Sequence, residues 1–183
     1  MNMPGRPKGE YRSAKHEAAS VSGVGEVRPQ GFQRVAQALA ERGHPHAPRW
    51  LDVPARTSQE AATALGVTVG QIAKSVIFRR CDDDRAVLVI TSGDRRVDEA
   101  RVAAHTGALG RADAAFVKQR TGFSIGGVAP LAHAEQVLTL IDRELFRFEE
   151  IWAAAGHPNG VFKLSPQALE QLTGATVMDV VTE

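Results

Sequence analysis

The sequence predicts a single α/β domain in which short helices surround a mixed β-sheet. Two observations predict this class. Capped helical patterns alternate along the chain with short runs of β-branched residues, which is typical of α/β folds. With 183 residues, 43% of them hydrophobic, the chain is also long enough for one well-buried core. Residues 1–28 are rich in Gly, Ser, Pro, Lys and Glu and lack apolar periodicity, so we expect a flexible leader there and the folded domain at 29–183.

The first part of the domain contains two predicted helices and a capped turn. Apolar residues at helical spacing predict a helix at 30–42. Prolines on both sides of Trp50 then favour a short extended segment. A Thr-x-x-Glu capping box predicts the second helix at 58–65. A similar Thr-x-x-Gln box at 68–71 predicts a capped turn that leads into the first strand of the sheet.

The middle of the domain contains a predicted hairpin and two short helices. Alternating apolar residues predict a strand at 75–79, and the continuous β-branched run at 86–91 predicts a strand buried on both faces. The acidic turn between them makes the two strands a hairpin, with Lys74 at its entrance. Further apolar spacing predicts short helices at 97–105 and 113–119.

The last third of the chain alternates strands and helices. Asp142 is placed to cap a helix that carries the apolar residues up to Trp152. The Ser165–Pro166 pair is a strong helix start. The remaining apolar runs predict three strands, at 137–141, 160–164 and 176–181.

The charge distribution argues against a broad nucleic-acid-binding surface. The net charge is +1, and residues 1–30 carry five basic against three acidic side chains while the remainder carries 17 against 18. Proteins that bind nucleic acid without regard to sequence need an extended basic surface, so any RNA contact here is expected to be local. The best candidate is the arginine-rich stretch, which comprises Lys74, Arg79, Arg80, Arg85, Arg95, Arg96, Arg101, Arg111, Lys118 and Arg120. Each of these side chains is equally well explained as an ordinary solvated charge.

The sequence also predicts the compartment and the absence of bound groups. No apolar stretch approaches the roughly 20 residues that cross a bilayer, and the N-terminus lacks a secretory signal, so we expect a cytoplasmic protein without membrane contact. A single cysteine cannot make an internal disulfide or a cysteine-based zinc site, and no HExxH motif is present. We therefore expect neither a metal nor an organic cofactor.

Lys74 is the first candidate functional residue, because its neighbours in the sequence are mostly apolar. Lysines are seldom buried without a partner. An ammonium at the mouth of a sheet can bind a phosphate or polarise a carbonyl. The alternative is that the Lys74 side chain extends to solvent from the end of a turn.

A glycine loop and a histidine are the other candidates. The Gly126–Gly127 pair, with Pro130 three positions on, would let the main chain approach a ligand and direct amide N–H groups at an oxygen atom. A plain turn explains the same residues. His157 precedes a predicted strand, where it could donate a hydrogen bond or place a water. A histidine in a loop is, alternatively, often only solvated.

Four segments, in this order, resemble the YbaK and prolyl-tRNA synthetase-associated editing-domain family: IAKSVIFR, AVLVITSGDRRVD, TGFSIGGVAP and AAGHPNGVFKLSPQAL. The resemblance covers residues 32–181. It is strongest to the free-standing, ProXp-type members, because no segment resembles a synthetase catalytic or anticodon-binding domain. It implies the fold of that family, with a mixed sheet that is partly barrel-like.

The resemblance also implies an activity, the hydrolysis of the ester that joins an amino acid to the terminal adenosine of tRNA. An aminoacyl ester is already activated, so positioning, main-chain N–H groups and a water are sufficient. Strict YbaK members have an arginine–glycine pair where His157–Pro158–Asn159 stand, which favours a small aliphatic substrate, such as alanine on proline tRNA, over cysteine. The implied site consists of Lys74, Gly126 and Gly127 as catalytic residues and of Ser75, Pro130, His157 and Asn159 as substrate-binding residues.

The expected partner is the acceptor end of an aminoacyl-tRNA, with prolyl-tRNA synthetase as a second candidate and a monomer as the simplest assembly. Two alternatives stay open at this point. One is a non-catalytic module of the same fold that binds a nucleotide or an aminoacyl group. The other is a protein-interaction role in which the leader or the arginine-rich stretch recruits a synthetase.

Overall fold

The computed structural model describes residues 27–183, so the predicted leader at 1–28 lies outside the described residues except for its last two. The α-helices of this part are α1 (Gln30–Glu41), α2 (Ser58–Leu65), α3 (Glu99–Thr106), α4 (Ala114–Thr121) and α5 (Pro166–Thr173). The strands are β1 (Arg49–Trp50), β2 (Ile72–Arg80), β3 (Ala86–Ser92), β4 (Leu109–Arg111), β5 (Leu138–Asp142), β6 (Ile151–Ala154), β7 (Gly160–Leu164) and β8 (Thr176–Met178). Short 3-10 helices lie at Val69–Gln71 and Arg143–Arg147.

Side-chain caps begin the helices where the sequence predicted them. The Thr57 hydroxyl accepts a hydrogen bond from the Glu60 N–H at 3.1 Å at the start of α2, and the predicted second box at Thr68 opens the 3-10 turn before β2. Ser165 caps α5 by accepting from the Ala168 N–H at 3.0 Å. These contacts satisfy main-chain donors that the first turn of a helix leaves unpaired.

The strands form one mixed, open sheet in the order β1-β7-β6-β2-β3-β5-β8, with β4 paired to β2 beside this path. The β2–β3 hairpin is antiparallel, as predicted, whereas β6 pairs with β2 and β5 with β3 in parallel. Within residues 27–183 the end strands β1 and β8 do not pair with each other, so the sheet does not close. The expectation of partial barrel character is corrected to an open sheet.

Strand β3 lies at the centre of the domain and is buried along its whole length, which confirms its prediction. Leu88 and Ile90 contribute to a large core cluster that also contains the apolar face of α1. Val87 and Val89 contribute to a smaller cluster on the opposite face. Burial of each such side chain contributes about 1.5–3 kcal/mol, so β3 anchors both layers of the domain.

The predicted helix from Asp142 to Trp152 is wrong. A single 3-10 segment ends at Arg147, and the residues from Ile151 onward form strand β6. Burial in β6 alternates with period two, and its partners β2 and β7 hold it in the sheet, so pairing with distant strands overrides the local helical spacing. The Asp142 side chain does not cap the segment but accepts a hydrogen bond from the Val180 N–H at 3.2 Å.

One edge of β2 is interrupted, and this interruption positions the site. Strand β6 pairs only with Ile72–Ala73 at the beginning of β2, and β4 pairs only with Phe78–Arg80 at its end. Among the described residues no strand pairs with residues 74–77 on that edge. The sheet therefore has a gap between β6 and β4.

None of the helices in the described part of the chain is long and apolar enough to cross a membrane.

Candidate functional site

A cavity of about 390 Å³ occupies the gap in the sheet. Its walls include residues 72–77 of β2, residues 152–154 of β6, residues 160–161 at the start of β7, residues 55–58 before and at the start of α2, and the loops that carry Gly126 and His157. Strands and the loops between them therefore both contribute to the lining. Ligand sites are commonly clefts of this size with a few polar groups.

The cavity has two halves because successive side chains of β2 point to opposite faces of the sheet. Trp152 lies beside Ile72 in the register, so Trp152 and Lys74 share one face, while Ser75 and Ile77 share the other. We call the first face the polar half; its lining includes Arg56, Ser58, Lys74 and Trp152. We call the second face the apolar half; its lining includes Ile77, Ala112, Val117 and Val128.

Lys74 is held in place in the polar half. Its Nζ donates a hydrogen bond to the main-chain oxygen of Arg95 at 2.9 Å. Burial lowers the pKa of Lys74, and the positive charge of Arg96 lowers it further, while Asp94 opposes the shift. An ammonium has three N–H donors and only one is used among the described residues, so the others are available to an anion or a carbonyl in the cavity.

His157 lines the cavity, and its contacts define which ring nitrogen carries the proton. Its Nδ1 accepts a hydrogen bond from the Asn159 N–H at 3.0 Å, and the ring stacks on Trp50 with centroids 4.9 Å apart. Burial lowers the pKa of His157, as does the nearby Arg56 guanidinium. The neutral imidazole therefore carries its proton on Nε2, which makes Nε2 a hydrogen-bond donor.

The glycine loop divides into one residue that lines the cavity and one that packs behind it. Gly126 is exposed, has a left-handed φ of +91°, and lines the cavity. Gly127 donates its N–H to the Ser124 oxygen at 3.1 Å within the loop. A Cβ at Gly127 would lie 2.7 Å from Cα of His157, so Gly127 supports the His157 turn by close contact.

The structure therefore brings together part of the predicted site. Lys74, Ser75, Gly126 and His157 all line the cavity. Gly127, Pro130 and Asn159 do not line it. Pro130 is buried, and the Asn159 side chain donates to the Leu51 oxygen at 2.8 Å, which ties the turn to the segment after β1.

Two cavity residues were missed by sequence reasoning. Trp152 was hidden by the wrong helix assignment, and Arg56 lies between Pro54 and the capping box at Thr57, where no motif marks it as a binding residue. The indole Nε1 of Trp152 and the Oγ of Ser75 are both buried without a hydrogen-bond partner among residues 27–183. Buried polar atoms are nearly always paired, so both atoms can accept a partner from the cavity.

The arginine-rich stretch does not form a free basic surface. Five of its members are in ion pairs: Arg79 with Asp84, Arg80 with Asp83, Arg95 with Asp94, Arg101 with Asp98, and Arg120 with Glu135. By contrast, Arg56 and Arg96 are exposed and have no ion pair within the described part of the chain. Arg56 lines the cavity and Arg96 lies close enough to Lys74 to lower its pKa, so both add positive charge beside the cavity.

Two spacings in the chain match motifs of other site types but lack their structural setting. Residues 122–126 have the G-x-S-x-G spacing of a nucleophile elbow, yet Ser124 is exposed, follows a helix instead of a strand, and does not line the cavity. His44 and His46 have H-x-H spacing, but His44 Nε2 bonds to the Lys163 oxygen at 2.8 Å. Within residues 27–183 no cluster of three or more His, Cys, Asp or Glu is placed to hold a metal ion.

Comparison with known proteins places the cavity in a family. The model of the aminoacyl-tRNA editing domain matches residues 52–172, which include all the residues that line the cavity. Uncharacterized protein YwhH of Bacillus subtilis is 30% identical over 128 residues, covering 69% of this chain and 81% of that protein. A proline–tRNA ligase of Leuconostoc mesenteroides is 32% identical over 89 residues, covering 48% of this chain and 15% of the ligase.

A solved structure agrees with these matches. A crystal structure described as that of a proposed trans-editing enzyme for prolyl tRNA synthetase superposes with a TM-score of 0.80 at 36% identity, covering 86% of this chain and all of that one. The matched family domain, the fold and the cavity at the interrupted edge lead to one assignment. The chain belongs to the aminoacyl-tRNA editing domain family.

Proposed function

We propose that this protein is a hydrolase that removes amino acids wrongly attached to tRNA, by cleaving the ester at the acceptor end. The observation that carries the proposal is the cavity at the gap, which has cations in one half and apolar walls in the other. An aminoacylated tRNA end is complementary to both halves, because its anionic nucleotide is joined to an amino acid. The family membership makes this pairing of cavity and ligand specific.

The polar half suits the terminal nucleotide. Lys74 has free N–H donors there, and Arg56 and Arg96 add charge beside it without ion pairs of their own among the described residues. Exposed cations of this kind bind phosphate, and their contribution falls as salt is added. The apolar half suits the amino-acid side chain, since its walls are aliphatic.

The chemistry needs no covalent intermediate on the protein. A water oxygen attacks the ester carbonyl carbon, the carbon–oxygen bond to the ribose breaks, and the ribose oxygen receives the proton that the water gives up. Lys74 and the Nε2–H of His157 are two donors of lining residues that can stabilise the charge developing on the carbonyl oxygen. Such positioned donors act on an ester that is already reactive.

The substrate we propose is a small aliphatic amino acid, alanine foremost, on proline tRNA. The apolar half is only part of a cavity of 390 Å³, which itself lies near the lower limit of about 300–1,000 Å³ for ligand sites, and this supports a small side chain. The match to proline–tRNA ligases supports the choice of tRNA. One methylene changes discrimination by only about 1–3 kcal/mol, so neighbouring small residues will be separated incompletely. We further propose that the protein is a monomer, acts in the cytoplasm and has prolyl-tRNA synthetase as a partner.

The test is the loss of each amino acid from its charged tRNA, with and without substitution of Lys74. We expect the unmutated protein to remove alanine from proline tRNA. In Lys74→Ala we expect the rate of this deacylation to fall by about 100-fold or more. Lys118→Ala is the matched control, because Lys118 Nζ also donates to a main-chain oxygen, that of Gly122 at 3.1 Å, but lies outside the cavity lining. Binding of aminoacyl-tRNA without any turnover would identify a binding module instead of a hydrolase.

A further inference from the structure

The free edge of β2 exposes main-chain groups to the cavity. At the two ends of the hairpin, Gly93 N–H donates to the Ile72 oxygen and Arg80 N–H donates to the Arg85 oxygen. Main-chain groups alternate in direction along an antiparallel pair, so the even-numbered residues of β2 bond to β3. The odd-numbered residues direct their N–H and C=O groups at the opposite edge.

On that opposite edge, β6 pairs at Ala73 and β4 pairs at Arg79, while Ser75 and Ile77 have no strand partner among residues 27–183. Both residues line the cavity. Enclosed main-chain groups are strongly driven to find hydrogen-bond partners, and an unpaired strand edge is a template for an added strand. The Oγ of Ser75 at the same point is buried without a hydrogen-bond partner among residues 27–183, so it too can bond to a group in the cavity.

We propose that the edge of β2 at Ser75 and Ile77 binds the α-amino ester of the substrate as if it were one residue of an added strand. An aminoacyl group has a nitrogen donor and a carbonyl acceptor on either side of one Cα, which is the arrangement that a strand residue offers to its neighbour. Its ammonium donates to a main-chain oxygen of β2, and its ester carbonyl accepts a main-chain N–H. This inference rests on the proposed function, because the ester is that function's substrate.

A main-chain N–H of β2 thus takes the role expected of the Gly127 N–H, that of a donor to the substrate oxygen. The Gly127 N–H already donates to the Ser124 oxygen. A β2 N–H aimed at the ester carbonyl stabilises the negative charge that develops there during attack by water. Binding on both sides of Cα also fixes the hand of the amino acid. The two enantiomers direct their side chains to opposite faces of β2, so only one hand reaches the apolar half.

Amide hydrogen exchange measured by NMR tests the subsite directly. The probe is 3′-deoxy-3′-(L-alanylamino)adenosine, in which an amide that resists hydrolysis replaces the ester. At saturation we expect exchange of one of the two amides, Ser75 or Ile77, to slow by about tenfold or more, because the probe's single alanyl carbonyl accepts one N–H. The Val76 amide, which bonds to β3, serves as the internal control and is expected to stay unchanged. A bound probe that leaves both amides exchanging at their free rate, or no binding of the probe at all, overturns the proposal.

Two further comparisons separate this proposal from the proposed function. The same probe with an acetylated amino group lacks the ammonium, and equal protection by both probes would count against the subsite. Ser75→Ala is expected to weaken binding of the alanyl probe about tenfold, whereas Thr91→Val removes an equally buried, unpartnered hydroxyl outside the cavity lining and is expected to change nothing. Equal effects of the two variants contradict the proposal. Amide protection without hydrolysis of any aminoacyl-tRNA would support the subsite and refute the hydrolase.

Discussion

Replacement of Gly127 by alanine tests whether this glycine supports the His157 turn. The added Cβ would lie 2.7 Å from Cα of His157 and 2.8 Å from its main-chain N and C atoms. All three are main-chain atoms, so the turn must move to relieve the contact. Forced displacement of packed main chain costs about 1–3 kcal/mol. For a domain of this size, a cost of about 2 kcal/mol lowers the Tm by about 4–8 °C.

The same displacement moves His157, which lines the cavity. A shift on the order of 1 Å in a positioned group reduces activity by about 100-fold, so Gly127→Ala is expected to lower kcat/KM for deacylation by about that factor. Calorimetry and the deacylation assay measure the two effects on one preparation. Wild-type Tm together with wild-type kcat/KM would refute the close packing of Gly127 on His157.

Gly174→Ala is the matched control for this experiment. Gly174 has a left-handed φ of +62° and no atom within 4 Å of an added Cβ, so its replacement isolates the cost of backbone strain. That cost is about 1–2 kcal/mol for an alanine. Gly174 follows α5, outside the cavity lining, and we expect a lower Tm with unchanged activity. Gly127 differs, since its φ is not positive and the contact alone opposes a side chain.

Three other predictions follow from the structure. Asp142→Ala leaves the buried Val180 N–H without its acceptor and is expected to destabilise the fold by about 1–3 kcal/mol in urea unfolding, whereas Asp179→Ala, which removes an exposed ion pair, is expected to cost less than about 0.5 kcal/mol; equal costs would contradict this. Arg56→Ala is expected to lower by about 1 the slope of log affinity for tRNA against log salt concentration, and an unchanged slope would exclude a phosphate contact. Burial lowers the pKa of both His133 and His157 below the ordinary value of 6.5, so the unfolded chain binds protons at a higher pH than the folded chain does. The Tm is therefore expected to fall as pH drops below 6.5. A Tm independent of pH in that range would disprove this prediction.

The elements that sequence analysis predicted correctly are those decided by local chemistry. The caps at Thr57, Thr68 and Ser165 are read from neighbouring residues, and the burial of β3 follows from its unbroken β-branched run. Strand β6 has local spacing that suits a helix, and only its pairing with β2 and β7 makes it a strand. No local pattern contains that information.

The same reasoning applies to the candidate site. Lys74 and His157 stand out locally, one as a charge in an apolar stretch and the other as a histidine between regular elements. The gap in the sheet exists because two short strands, distant from each other in sequence, pair with the two ends of β2. Trp152 and the free edge at Ser75 belong to the candidate site only because of that gap, so neither is predictable from residue type and spacing.

The gap also explains why some predicted site residues lie behind the cavity wall. Because no strand pairs with β2 at the gap, strand pairing does not position the loops that line the cavity there. Contacts between these loops must position them instead. Gly127 packs against the main chain of His157, and Asn159 ties the same turn to Leu51 while its N–H sets the proton of His157 on Nε2. Both residues therefore support the position of His157. Replacement of either residue should shift His157 while the polar half around Lys74 stays intact.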